Sequence, residues 1–129
     1  MPGTLTLVGE AFALDYLFDA AAVTRPTAWY VALHAGANGG AGANNEIIAN
    51  GYARQAVVFT RALNVVSNNA ILSFGPDTTV GWGSVTDITV WDSLTAGRCL
   101  AQGTASAAVI YAIGDTATIA IGALTITLV

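Results

Sequence analysis

Residues 26–45, 99–114 and 116–129 contain no Asp, Glu, Lys or Arg. The whole chain of 129 residues holds four arginines, eight acidic residues and no lysine, while 54% of it is hydrophobic. An ordinary soluble domain carries about a quarter of its residues as charges. No run approaches the roughly 18–20 consecutive apolar residues of a membrane-spanning helix. A chain this apolar, yet without a span, calls for other protein to cover much of its surface. The composition points to assembly rather than to catalysis.

The balance of charge narrows the partners. Net charge is −4, and Arg25, Arg54, Arg61 and Arg98 are widely spaced. Nothing here neutralises a phosphate backbone, so neither direct nucleic-acid binding nor attachment to an anionic membrane is expected. Cys99 is the one cysteine, which excludes an internal disulfide and suits a small buried apolar residue. Ala20, Ala21 and Ala22 resemble a signal-peptide cleavage site. No basic segment precedes them, however, and Glu10, Asp15 and Asp19 interrupt the apolar stretch. Cytoplasmic synthesis without Sec export is expected.

Length and patterning suggest a single domain over residues 1–129. The spacing predicts one helix, over residues 7–21. Leu7, Ala11, Leu14, Phe18 and Ala21 fall on one stripe, and Phe12 and Tyr16 make an aromatic pair on the opposite side. A second apolar face implies either burial inside the domain or contact with a neighbour. From Ala28 onward the chain reads as strands: 28–34, 52–59, 70–74, 85–92, 98–103 and 107–113, separated by Gly, Asn, Pro, Asp and Thr clusters. This pattern predicts a mainly β fold, an antiparallel β-sandwich or jelly roll with one short N-terminal helix.

Two local features are sharper. Residues 115–121 and 124–129 flank Gly122 and Ala123, which suit a type II′ hairpin. That register pairs Ile121 with Leu124, Ile119 with Ile126 and Ala117 with Leu128 on a core face. Thr116, Thr118, Thr125 and Thr127 then share an outer face, mildly polar and able to pack on a partner. The stretch from Gly36 to Asn45 is made of glycine, alanine and asparagine only and predicts a flexible surface loop.

Constellations for chemistry are lacking. The glycine-rich loop has no lysine to make it a phosphate cradle. His34 is the one histidine and Cys99 the one cysteine, too few for the usual metal sites, so no cofactor or metal is expected. No serine lies in a G-x-S-x-G elbow, and Asp87 and Asp92 fall on opposite faces of one strand. A structural, hydrogen-bonded role suits His34 better than base catalysis, and the chain is not expected to be an enzyme. Trp29 and Trp91 alternate within apolar strands and suit a core. Trp82 lies between Gly81 and Gly83, where an aromatic tends to be exposed or to plug a neighbour, and is the best single candidate for a contact residue.

Four segments occur in a telling order: Trp29-Tyr30-Val31-Ala32-Leu33-His34; Gly51-Tyr52-Ala53-Arg54-Gln55-Ala56-Val57; Gly81-Trp82-Gly83-Ser84-Val85-Thr86 leading to Val90-Trp91-Asp92; and Ile113-Gly114-Asp115-Thr116 with Gly122-Ala123-Leu124-Thr125. Together they resemble a family of small virion proteins of tailed bacteriophages, variously described as head decoration (cement) or tail-fibre-like proteins. Two stretches depart from the family pattern. The loop Ala35 to Asn45 lacks acidic residues and proline, and Ala107 to Tyr111 lacks a lysine. The resemblance implies a protein of the virion, at the capsid surface. It would act as a homotrimer that staples neighbouring copies of the major capsid protein by binding energy alone. The alternative is a tail-fibre or receptor-binding module, with the tryptophans as a sugar platform. Phe12, Tyr16, Tyr52, Arg54, Trp82, Thr116, Thr118, Thr125 and Thr127 are the candidate assembly contacts. For Arg54, a carboxylate across the sheet and an inter-subunit salt bridge are both open.

Overall fold

The computed structural model describes residues 2–20, 22–49, 51–78 and 81–128. In chain order the elements are β1 (Pro2–Leu5), α1 (Leu7–Phe18), β2 (Trp29–His34), β3 (Gln55–Val57), β4 (Phe59–Ala62), β5 (Val65–Asn68), β6 (Leu72–Phe74), β7 (Gly83–Trp91), β8 (Cys99–Tyr111), β9 (Ala117–Ile119) and β10 (Thr125–Thr127). The protein is mainly β with one short N-terminal helix, as the patterning predicts.

Eight strands form one sheet in the order β3-β2-β7-β8-β1-β10-β5-β4, and β6 pairs separately with β9. The outermost strands β3 and β4 are consecutive in the chain, with only Val58 between them. The first part of this segment pairs with β2, Val57 opposite Trp29, and the second with β5, Ala62 opposite Val65. One stretch of backbone therefore supplies both edges, and the sheet rolls into a nearly closed barrel. Rolling leaves less unpaired edge than an open sandwich would. All pairings are antiparallel except β1 with β10. The β6–β9 pair is the second layer. Leu72, Phe74, Ala117 and Ile119 join Val31, Leu33, Ile88 and Val90 in the main core, while Ser73 and Thr118 face out.

The C-terminal hairpin does not form. Strand β9 pairs with β6, Ile119 opposite Leu72, and β10 lies between β1 and β5. A turn does exist, Ala123 N–H donating to the Ala120 carbonyl at 3.1 Å, but it carries the chain from one sheet to the other. Asn68, 1% exposed, holds this corner. Its amide donates to the carbonyls of Ala70 (2.8 Å) and Ala120 (2.9 Å), and its side-chain oxygen accepts from Leu124 N–H (2.9 Å). Its backbone exchanges further bonds with Gly122 and Leu124. Alternation specifies faces, not partners, so a fully bonded buried amide can redirect the pairing. Ala117, Ile119 and Leu124 are buried as expected, but Ile121 and Leu128 are exposed. The threonines do not share one outer face: Thr116 and Thr118 are exposed, whereas Thr125 and Thr127 are half-buried in β10. Val129 lies outside the described residues. Asn68→Ala removes three side-chain bonds and is expected to cost about 1–3 kcal/mol, read as a shift in urea midpoint.

The helix begins where its cap dictates. Thr6, fully buried, accepts from Gly9 N–H at 3.0 Å through its hydroxyl oxygen and donates that hydroxyl to the Cys99 carbonyl. Its own N–H donates to the Leu100 carbonyl. The helix start is thereby fixed to β8. It ends at Phe18, where Asp19 turns extended. The expected end at 21 is shorter by a turn, and Ala21 lies outside the described residues.

Candidate interaction surface

Folding makes the charge poverty of the surface deeper. Buried Arg54 pairs with half-buried Glu46 at 2.8 Å, and Asp92 pairs with Arg98 at 2.7 Å. Asp77 is buried. Large apolar side chains lie outside instead, among them Ile48 (94% exposed), Leu63 (88%) and Phe18 (81%).

The wall made by β2 and β7 is buried on both faces. Val31 and Leu33 face the main core, and Ala32, Trp91 and Cys99 form a second cluster. The glycine-rich loop packs onto this second cluster instead of hanging free. A Cβ at Gly42, which has φ +77°, would come within 2.2 Å of Cys99 Sγ. Ala35 N–H donates to Asn45 O, Asn44 N–H to Asn38 O and Asn45 Nδ2 to Ala37 O. Burial pushes the Cys99 thiol up to about 11, which keeps it protonated and unreactive.

His34 is fully buried in this layer. Its Nδ1 lies 2.7 Å from the Asn44 carbonyl, which can only accept, so Nδ1 carries the proton. Nε2 then accepts from the Thr89 hydroxyl at 2.7 Å, and Thr89 Oγ1 accepts from Trp91 Nε1 at 2.7 Å. Both ring nitrogens are engaged in a structural relay. Burial lowers the imidazole pKa and outweighs the opposing bond to Asn44 and the charges of Glu46 and Asp87. Between that lowered value and 6.5 the unfolded chain binds a proton that the folded chain does not. Stability therefore falls as pH drops below 6.5. Glu46 adds a second limb at lower pH. Burial raises its carboxyl, but the hydrogen bonds and charge of Arg54 prevail and leave it below 4.5. Its contribution is lost as pH falls through that lowered value. Thermal melts from pH 7 down to about 2 are expected to show both limbs, and His34→Gln should abolish only the upper one.

Of the expected contacts, Tyr52 and Arg54 turn inward onto one carboxylate. Arg54 forks onto Glu46, Nε to Oε1 and Nη2 to Oε2, each at 2.8 Å. Its Nη1 donates to the carbonyls of Ser93 (3.0 Å) and Ala96 (2.8 Å), and its guanidinium lies 4.0 Å over the Trp91 ring. Tyr52 donates to Glu46 Oε1 (3.1 Å) and accepts from Leu33 N–H (3.0 Å). Burial raises the Tyr52 phenol well above its ordinary pKa. The partner of Arg54 is thus a carboxylate within the chain. Trp82 is also corrected: it is 4% exposed and packs against Tyr52 and Tyr111 in the main core. Flanking glycines let the backbone turn inward around the ring and do not expose it. The three tryptophans make no common platform. Trp91 lies in the second cluster, Trp82 in the main core, and Trp29 packs half-buried against the main core.

The helix is mounted apolar side out. Gly9 is its only fully buried residue and meets β8, where a Cβ would lie 1.9 Å from the Leu100 carbonyl oxygen. At about 100° per residue, the stripe of Leu7, Ala11, Leu14 and Phe18 points away from Gly9 and into solvent. Leu7, Leu14 and Phe18 are all exposed. Phe12 turns toward the body and is half-buried, whereas Tyr16 is 56% exposed. The two rings stack at 6.2 Å, and Arg98 lies 4.6 Å over Phe12. The stripe expected to be buried is therefore the one left uncovered. Leu63 was not legible as a surface feature. It occupies the β4–β5 turn with φ +54°, a conformation Asn or Gly favours, and presents an apolar side chain there.

The family described as Podophage GP4 fiber I protein gp80 matches this chain over residues 5–127. The chain belongs to that fibre family. It is a family of phage virion structural proteins, which bears out the resemblance to tailed-phage virion proteins. Comparison with curated proteins gives no match.

Membership of the fibre family agrees with the surface. The matched span contains every element from α1 to β10. Among the described residues no group of three or more metal-ligating side chains occurs, and no helix is long and apolar enough to cross a membrane. What the fibre-family fold presents outward is largely apolar or neutral, with a few charges such as Glu10, Asp15 and Arg25.

Proposed function

We infer that this member of the fibre family is a structural subunit of the phage tail fibre, acting through protein–protein contact and present in several copies. The observation that carries this location is the fibre-family match over residues 5–127. The mode of action is supported by the exposed apolar side chains and by the internal pairing of Glu46 with Arg54 and Asp92 with Arg98. Such surface associates at little desolvation cost. A non-enzymatic role agrees with His34, whose two nitrogens are both engaged inside the fold. Decoration of the capsid, with the major capsid protein as partner, has less support because the family's description names a fibre. A sugar-stacking role for the tryptophans has none in the geometry.

Quantitative mass spectrometry of purified particles, separated into heads and tails, tests the location. The chain is expected in the tail fraction. Recovery with the major capsid protein in the head fraction would restore the decoration role, and absence from particles would overturn both. Light scattering on the isolated protein reports the copy number, and a strict monomer at all concentrations would contradict self-assembly.

A further inference from the structure

We propose that the outward stripe of α1 is a docking ridge for a different protein of the virion, one that offers an apolar groove rimmed by lysine or arginine. The inference rests on the virion location proposed above. Leu7, Leu14 and Phe18 lie within about 40° of one another on the helix, directly opposite the Gly9 contact with β8. They are 68%, 59% and 81% exposed. Leu14 and Leu17 continue along the helix flank into an apolar groove of about 580 Å³ shared with Leu5 and Leu128. Ridge and groove form one surface.

Charge selects the occupant. Glu10 and Asp15 flank the stripe, one on each side, and α1 contains no basic residue. A second copy packed ridge to ridge across a two-fold axis would bring Glu10 against Glu10 and Asp15 against Asp15, which is repulsive. A second copy also has few cations to offer elsewhere. Arg54 is buried on Glu46, Arg98 is held by Asp92 and Arg61 is turned onto the Leu63 carbonyl, so the exposed Arg25 is a single cation against two carboxylates. An apolar groove with basic walls satisfies ridge and carboxylates together. An anionic lipid surface fails on the same charges.

The test places a photoreactive benzoylphenylalanine at position 14, in place of Leu14, in the chain as assembled into particles. Irradiation is expected to give an adduct with another virion protein, mapping to a peptide that combines apolar residues with Lys or Arg. An adduct with a second copy of this chain, or no adduct although the chain is present in the particle, overturns the proposal. Absence of the chain from the particle is a different failure and belongs to the virion location itself. Leu14→Ser with Phe18→Ser should reduce incorporation at least tenfold with a nearly unchanged melting profile, because both side chains are mostly exposed. Glu10→Lys with Asp15→Lys should reduce it comparably, and incorporation unaffected by that charge reversal would contradict the basic rim.

Discussion

Arg54→Ala is expected to destabilise the protein by about 3–5 kcal/mol, the range for breaking a buried pair by removing one partner. The size follows from what is left behind. Glu46 would keep a carboxylate whose side chain is only 19% exposed, and the carbonyls of Ser93 and Ala96 would lose their donor. The 4.0 Å stacking on Trp91 would go as well. Arg54→Lys should recover only part of the loss, because an ammonium cannot fork onto both carboxylate oxygens while reaching two carbonyls. Replacing the pair together, Arg54→Met with Glu46→Leu, should cost less than Arg54→Ala alone, since no charge remains buried. Urea denaturation of the wild type and the three variants ranks these losses. A loss below about 1 kcal/mol for Arg54→Ala would fall in the range of a solvent-exposed pair and contradict the buried geometry.

Gly9→Ala is the second large effect, and its sign opposes simple helix propensity. Alanine in a helix interior is favoured over glycine by about 1 kcal/mol. Here the added Cβ would lie 1.9 Å from the Leu100 carbonyl oxygen and 2.8 Å from its carbon. Both are backbone atoms, so no rotamer change relieves the clash, and α1 must lift from β8. A net loss of about 2–3 kcal/mol is expected, with helical circular dichroism largely kept. Leu7→Ser on the outward side of the same helix should change stability by no more than about 0.5 kcal/mol. A stabilised Gly9→Ala would mean that the helix does not dock through this face.

The contrast between these two sides of α1 marks where sequence reasoning stops. Apolar spacing located the helix start at Leu7 and strands at 28–34 and 85–92, close to the observed Trp29–His34 and Gly83–Trp91, because period and turn residues are local signals. It could not say which side of a doubly apolar helix faces the body. That choice was made by one glycine's close approach to β8 and by Arg98 over Phe12, both long-range contacts. Strand β1 begins with Pro2 and Gly3, and β5 with its neighbours Asn64 and Asn69 reads as a turn, so neither was visible. The segments expected as strands at 98–103 and 107–113 are the single strand β8, and the one expected at 52–59 gave way to β3 and β4, split at Val58. Asn68 looked like turn chemistry and is instead the buried organiser of the sheet-to-sheet corner. Tyr52 and Arg54, expected as assembly contacts, instead converge on one carboxylate within the chain. Their target, Glu46, lies in a loop segment that no periodicity marks.

On the tail-fibre reading proposed above, this fibre-family protein works by covering its outward apolar surface with neighbours. A cryo-EM map of the source virion tests it most directly. The rolled sheet is expected within the fibre, with Leu7, Leu14 and Phe18 of α1 under density from another chain. Density for the protein in the capsid lattice, or in the fibre with that helix bare to solvent, would contradict it.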